Sequence, residues 1–441
     1  MRGFHHSINT VIGAIRHPGS IFYGWWIVAA GTAAAVVYSA VLSVGFGAYF
    51  LPIAKQLASG RGALSGAYSL VRLEAGLLGP FQGYLVDKLG PRTVMRVGYA
   101  LFGLGFILLS RADSLLTFYT FFLLAAVGGS LSGFLSISTT AVNWFYRRRG
   151  LALGIVMAGT SLGGVLMPTL TWSISSFGWR STFVGIGVFL WLVGIPISSV
   201  MRQRPEQYGL TPDGDTTAQR EAWLMREARA GRPAGERSLT LREAVSSQAF
   251  WFMGTAHGLS VMVFSALAVH QIPALVDIGA SQTAAATVLS VTTAIMAVGR
   301  LAGGFMGDRM GRKQALVVCY LMQSAGLALL AVVQSLWQAY ISAVLVGLGF
   351  GARGPLLVAL RGDYFGRTAF ATISGTMELL ITSGSIVAPL FAGYLYDIRG
   401  SYSLAFLSIA GASLLGSLLV VAMRPPRGRK EQAHPRTAGV P

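Results

Sequence analysis

Ten residues, Gly83-Tyr84-Leu85-Val86-Asp87-Lys88-Leu89-Gly90-Pro91-Arg92, return as Gly304-Phe305-Met306-Gly307-Asp308-Arg309-Met310-Gly311-Arg312-Lys313. Both copies read glycine, three residues, aspartate, a base, one residue, glycine, one residue, a base. Asp87 and Asp308 stand 221 residues apart in a chain of 441. Each copy follows one long apolar run and precedes another. A single Gly-rich decapeptide fits an ordinary turn. Two copies half a chain apart, in the same apolar setting, point to a membrane fold of two similar halves.

The runs themselves set the number of crossings. A helix needs ~20 residues to pass ~30 Å of hydrocarbon. Residues 24–54 carry no charge and hold the first helix, with Tyr23, Trp25 and Trp26 at its interfacial end. The polar stretch before it, with His5 and His6, is read as preceding a retained helix rather than a cleaved leader. Further helices are expected at 63–86, 97–110, 114–146, 150–179 and 181–201. In helix 5, Gly154, Gly159, Gly163 and Gly164 fall near one stripe, which permits close helix approach. After a polar stretch come 249–274 and 281–306. The charge-free run 314–352 is too long for one span and breaks near Gln334–Gln338; 368–392 and 402–423 complete the set.

The expectation is therefore an all-α membrane protein of twelve transmembrane helices in two pseudo-symmetric six-helix bundles. The first bundle covers 1–201, a linker 202–247, the second bundle 248–424 and a tail 425–441. The linker is rich in Arg and Glu, with Pro205, Pro212, Gly214 and Pro233, and a short surface helix is expected over 217–230. Its charges nearly cancel, so it is expected to be a solvated tether.

Composition agrees. The chain is 53% hydrophobic and 11% charged, against about 25% charged in soluble proteins. The net charge of +18 comes from 34 basic and 16 acidic residues. These bases sit in short loops, which speaks for membrane orientation rather than nucleic-acid binding. The loops after helices 2, 4, 8 and 10 hold Lys88, Arg92, Arg147, Arg148, Arg149, Arg309, Arg312, Lys313, Arg361 and Arg367. Loops on the other face hold only scattered bases such as Lys55, Arg61, Arg111, Arg180 and Arg399. The positive-inside rule then puts both termini and the linker in the cytoplasm, in a bacterial inner membrane. The lone cysteine, Cys319, lies in an apolar run and reads as a small packing residue. No metal-ligand cluster, nucleotide loop or catalytic triad stands out, so no enzyme, cofactor or metal is expected.

The doubled decapeptide resembles the signature of the major facilitator superfamily, in the loops after helices 2 and 8. A narrower likeness is to the monocarboxylate porters and the oxalate–formate antiporter group. It rests on Asn143-Trp144-Phe145-Tyr146-Arg147-Arg148-Arg149-Gly150-Leu151-Ala152, on the stretch from Arg204-Pro205-Glu206 to Asp215, on Asp363-Tyr364-Phe365-Gly366-Arg367 and on Phe46-Gly47-Ala48-Tyr49-Phe50. The resemblance implies alternating access, with the two bundles rocking about a central site.

Against that background the charged residues in apolar surroundings become candidates. Asp87 or Asp308 can cap a neighbouring helix N-terminus or pair with loop arginines. The gating motif is then Gly83, Asp87, Lys88, Gly90 and Arg92 with Gly304, Asp308, Arg309, Gly311, Arg312 and Lys313. Arg300 in helix 8 sits where a charge costs at least ~2.5–3.5 kcal/mol, unless it faces a cavity or a partner or snorkels to the headgroups. In the resembled families an arginine here binds the substrate carboxylate. Arg353 in helix 10 is a second anion contact or a partner for Glu378. Glu378 in helix 11 carries a proton or forms a structural pair; Glu74, two residues from Arg72 in helix 2, is expected to be structural. His257 in helix 7 can touch substrate or proton, and His270 reads as interfacial. Asn143, Tyr38 and Tyr49 can offer polar groups to the cavity.

The resemblance has gaps. Ser43-Val44-Gly45 stands where monocarboxylate porters have a lysine, Leu289 where they have an acid, and a residue near Ser383 where the oxalate transporter has a lysine. One firm cation suits a singly charged acid. The function expected is transport of a small organic anion, a monocarboxylate first, by a monomer coupled to protons. Exchange of two carboxylates and drug-type efflux are the alternatives. A transporter-derived sensor is the rival of another class.

Overall fold

The structure, a computed structural model, describes residues 21–43, 45, 49, 53, 56, 61–229 and 239–426. His5, His6, Phe46, Gly47, Ala48, Phe50, Lys55, Pro233, the side chain of Arg72 and the tail from 427 onward lie outside the described residues.

Among the described residues the chain is helical and lies in long apolar segments. Helix α1 is Tyr23–Tyr38 and runs on through a π-helical turn, Ser39–Ser43. Then come α2, Arg61–Leu89, α3, Pro91–Leu109, and α4, Leu115–Trp144, interrupted at Gly133. The next segment, Arg149–Val200, is 52 residues long and breaks at Gly178, whose φ of 76° and ψ of 159° end one helix and begin another. Its two limbs are α5 (149–177) and α6 (179–200). They run in opposite directions. The Tyr23 hydroxyl donates to Val200 O (2.9 Å) and its ring packs on Trp144, near the start of α5, whereas Arg180 reaches Asp113 (2.7 Å) at the other end. The second half is α7, Gln248–Asp277, α8, Gln282–Met310, α9, Arg312–Ala331, α10, Leu336–Phe365, α11, Phe370–Arg399, and α12, Ser403–Ala422. Among the described residues ten segments are long and apolar enough to cross a membrane, the 52-residue segment broken at Gly178 being one of them.

Apolar side chains pack in one cluster in the first half and in two in the second. Phe102, Phe106, Phe118, Phe122 and Phe183 fill the first. Tyr320, Leu356, Phe365 and Met377 fill one part of the second, and Leu267, Leu275 and Phe406 another. Tyr49 belongs to the first core, edge-on to Phe183, and not to any opening. His270 ties α7 to α11 and α12, with Nε2 2.9 Å from Pro389 O and Nδ1 3.3 Å from the Tyr402 hydroxyl. Three helices are thereby fixed at the end remote from the decapeptides.

The glycine three positions after each motif aspartate has a backbone reason. Gly90 has φ 80° and Gly311 φ 97°, in the left-handed region where a side chain is strained. Each makes the abrupt turn that lets the next helix start at Pro91 or Arg312. Lys313 then donates to Val421 O and Met423 O, both at 2.8 Å, and satisfies carbonyls at the end of α12.

The linker departs from the sequence expectation. Its helix, Thr217–Arg229, falls where one was expected, but the stretch before it is docked rather than solvated. Trp144 Nε1 donates to Arg202 O (2.8 Å) and the Arg202 guanidinium lies 3.9 Å from the Tyr23 ring centre. Asp213 accepts from the backbone N–H groups of Tyr146 (2.7 Å), Arg147 (2.8 Å) and Arg148 (3.2 Å). Asp213 is the one non-glycine residue with positive φ among those described, at 60°. Its side chain thus reaches three amides just before α5, and Asp215 pairs with Arg147. Asp213, Asp215 and Glu206 of this stretch thus bond to the helical bundles, while Glu221 of its helix is exposed.

Candidate functional site: a hydrogen-bonded seam between the halves

The first glycines of the decapeptides explain where the halves touch. A Cβ on Gly83 would strike Ala371 O in α11, and one on Gly304 would strike Gly150 O in α5. Gly79 faces Gly375, and Gly154 faces Arg300 O, in the same way. Only glycine permits backbones this close. Helix α2 therefore lies against α11, and α5 against α8, with no side chain between them at these levels.

Close approach brings each motif aspartate to a helix start in the opposite half. Asp87 accepts from the N–H groups of Ala371 (3.2 Å) and Thr372 (2.8 Å) and from the Thr372 hydroxyl (2.7 Å). Asp308 accepts from the N–H groups of Gly150 (3.2 Å) and Leu151 (3.0 Å). Four otherwise unpaired amides at the beginnings of α11 and α5 are satisfied by carboxylates, where the helix dipole also favours negative charge. The two contacts are counterparts: first half onto second, second half onto first.

Arginines close the same face. Arg149, 1% exposed, donates to Asp363 (2.7 Å), Phe145 O (3.0 Å) and Val142 O (3.0 Å). Arg312 donates to both oxygens of Asp363 (2.5 Å each), to Asp308 (3.2 Å) and to Tyr146 O (2.8 Å). Arg367 donates to Asn143 O (2.8 Å) and to Glu206 of the linker (2.9 Å). Asn143 is 2% exposed, and its amide nitrogen donates to Gln203 O (2.9 Å). It is part of this seal and not grouped with the arginines deeper in the protein. Asp363, Arg149 and Asp213 were not singled out from sequence, although they lie within or beside the segments that carry the family resemblance.

Deeper along the same seam lies Arg300. Its Nη1 crosses from α8 to α5 and donates to Met157 O (3.0 Å), to the Thr160 hydroxyl (2.6 Å) and to the Ser161 hydroxyl. The side chain is half-buried between the halves, and all three of these partners are neutral. Arg353 lies between Ala352, which a Cβ on Gly303 of α8 would strike, and Gly354, which faces the Met157 side chain of α5, and its guanidinium lies 4.2 Å from the Phe350 ring centre; His257 precedes Gly258, which packs against Leu380 O of α11. The charge of Glu378 acts on Arg361 of α10, and its Cβ lies against Gly79 of α2. Glu74 accepts from Gln82 Nε2 (3.3 Å) and from the Ser130 hydroxyl (3.0 Å) within the first half. The structure thus sets Arg300 on the α5–α8 contact, Arg353 on the adjoining α10 and His257 on α7, puts Glu378 at the α2–α11 contact and leaves Asn143 at the sealed end. No group of three or more His, Cys, Asp or Glu suited to a metal occurs among the described residues.

Comparison with known proteins agrees with this architecture. The sequence profile described as Major Facilitator Superfamily matches residues 31–277 and 256–440. Monocarboxylate transporter 12 of Rattus norvegicus is 26% identical over 430 residues, covering 93% of this chain and 87% of the relative. Monocarboxylate transporter 13 of the same species is 26% identical over 409 residues, 91% and 89% of the two chains. Monocarboxylate transporter 11 of Mus musculus is 28% identical over 355 residues, 78% and 75%. Among solved structures, the human organic anion transporter MFSD10 superposes with a TM-score of 0.68 at 15% identity, over 91% of this chain and all of the other. FucP in the outward conformation superposes with a TM-score of 0.67 at 14% identity, over 90% and 99%.

Proposed function

The chain belongs to the major facilitator superfamily, and from that premise we propose that it carries a small organic anion across the bacterial inner membrane by alternating access, with Arg300 receiving the substrate carboxylate. The observation that supports this most is the position of Arg300, a guanidinium between the two halves whose Nη1 meets only neutral acceptors on α5. A carboxylate is a stronger acceptor than a carbonyl or hydroxyl and matches the guanidinium fork. Its arrival would take the donor from α5 and loosen one tie between the halves. Monocarboxylates are the first class to test, because the relatives at about 25% identity bear that name.

In this reading the decapeptide face is cytoplasmic, the side on which the basic loops cluster. The seal built on Asp87, Asp308, Arg149 and Asp363 holds that face shut and breaks when substrate is released inward. Proton symport supplies the driving force, with Glu378 or His257 as carrier. Glu378 has the better position for coupling, since the α2–α11 contact it lies on must part for the cytoplasmic face to open.

Counterflow in proteoliposomes tests the proposal. Purified protein preloaded with unlabelled lactate should accumulate labelled lactate, and an inward pH gradient should raise the rate. Arg300→Gln should raise the half-saturating concentration by about tenfold or more, the scale of losing a charge-assisted pair. An unchanged constant in a folded Arg300→Gln protein would refute the role of Arg300. Flux that requires an opposing carboxylate and ignores the pH gradient would replace symport by exchange.

A further inference from the structure

The two motif contacts fix a register between the halves. Asp308 meets the amides of Gly150 and Leu151, and Asp87 meets those of Ala371 and Thr372. Gly150 therefore answers to Ala371, and Arg149 to Phe370. Within the decapeptides, Arg312 answers to Pro91. Arg149 and Arg312 both carry charged donors across the α5–α8 seam. Arg149 donates to Asp363 of α10 (2.7 Å), and Arg312 to Tyr146 O just before α5 (2.8 Å). Arg312 also bonds Asp363, so one carboxylate is shared by the two guanidinium groups. Their counterparts, Phe370 and Pro91, have no polar side-chain atom.

The seams are alike in plan and unequal in strength. On the α5–α8 side, Asp308 and the two arginines are joined deeper down by Arg300, which bonds Met157 O and the Thr160 hydroxyl. Asp213 steadies the amides before α5. On the other side, α2 is held to the start of α11 by the three bonds of Asp87. Lys88 lies over the Tyr84 ring of its own helix (5.4 Å). Arg367, in the turn before α11, reaches toward the α4–α5 turn, donating to Asn143 O and lying 5.2 Å from the Tyr146 ring centre. Among the described residues, a cavity of about 430 Å³ borders the α2–α11 contact, lined by Tyr84, Lys88, Leu239, Thr240, Thr368 and Thr372. Pulling apart a buried ionic set strands charges in a low dielectric, which costs more than freeing one carboxylate beside an opening where water can replace its donors.

We propose that the decapeptide face opens as a wedge: α2 leaves α11 first, starting at this cavity, while α5 and α8 stay joined as the edge about which the halves turn. Pro91 in the first decapeptide and Arg312 in the second are the sequence cause, together with Phe370 opposite Arg149. This rests on the reading that the halves part at this face, and adds the order in which its contacts break.

Two spin-label pairs in the full chain, in lipid nanodiscs and a Cys319→Ser background, read the two contacts separately. Leu89 with Thr368 spans α2–α11, and Arg148 with Met310 spans α5–α8; all four positions are exposed. Asp87→Asn should add a longer distance to the first pair and leave the second pair single. Asp308→Asn should add no more than about a tenth of that population to either pair, because Arg149 and Arg312 still bridge their seam. Asp308→Asn combined with Arg312→Gln should make the second pair behave as the first does. Hydrogen exchange of the unaltered protein reads the same order without any substitution. After correction for sequence, the amides of Ala371 and Thr372 should exchange about tenfold or more faster than those of Gly150 and Leu151. Both pairs lengthening together in Asp87→Asn, an Asp308→Asn protein that opens as readily as Asp87→Asn, or equal exchange at the two helix starts overturns the wedge and leaves the parting of the halves standing. If neither pair lengthens in any variant, the parting itself falls, and the wedge with it.

Discussion

Replacing Asp87 by Asn tests the seam most directly, because it keeps the shape and removes the charge. Asp87 accepts three hydrogen bonds from Ala371 and Thr372 at the start of α11. Asparagine has a single acceptor oxygen, so at least one of these bonds is lost and the remainder become neutral. Bonds to a charged acceptor contribute about 1.5–3 kcal/mol and neutral ones about 0.5–1.5 kcal/mol. The helix-end charge adds about 0.3–1 kcal/mol. A differential loss of about 2 kcal/mol between the closed and parted states is a shift of roughly thirtyfold in their ratio. Spin labels at the exposed positions Leu89 and Thr368, in a Cys319→Ser background, report the distance across this face. The unaltered pair should give one short distance, and Asp87→Asn should add a longer population, while transport slows. An unchanged distance distribution together with normal turnover would refute the clamp.

Two further perturbations address other links. Glu378→Gln should leave counterflow intact and remove the stimulation of uptake by a pH gradient; uptake that still follows the gradient excludes Glu378 as the carrier. Asp213→Asn keeps a residue that tolerates positive φ but weakens three bonds to the amides before α5, for about 1–2 kcal/mol of local stability. Limited trypsin digestion should then cut faster near Arg204 and Arg220, and an unaltered digestion rate would show that the linker is held by other contacts.

How much of this was legible in the sequence depended on the range over which each feature acts. Apolar run lengths and the doubled decapeptide gave the fold, because lipid imposes ~20 residues on every crossing and glycine at positive φ leaves its mark at Gly90 and Gly311. Intramembrane charges marked Arg300, Arg353 and Glu378 as candidates, because each is too costly to be incidental. Azimuth and partner were beyond reach. That Asp87 would meet Thr372, 285 positions away, or that Glu378 would come to lie against Gly79 of α2, depends on how far each helix is rotated about its axis. Packing against several neighbours sets that rotation. Asn143 shows the consequence: its polarity was visible, but only the meeting of α4 with the linker and Arg367 put it in the seal. The linker shows it too, since a run of mixed charges looks alike in water and against a protein surface until the backbone amides before α5 and the carboxylate of Asp213 are brought within bonding distance. Local pattern determined what the elements are; long-range contact alone decided which of their polar groups meet, because partners such as Asp87 and Thr372 are brought together only by the packing of one half on the other.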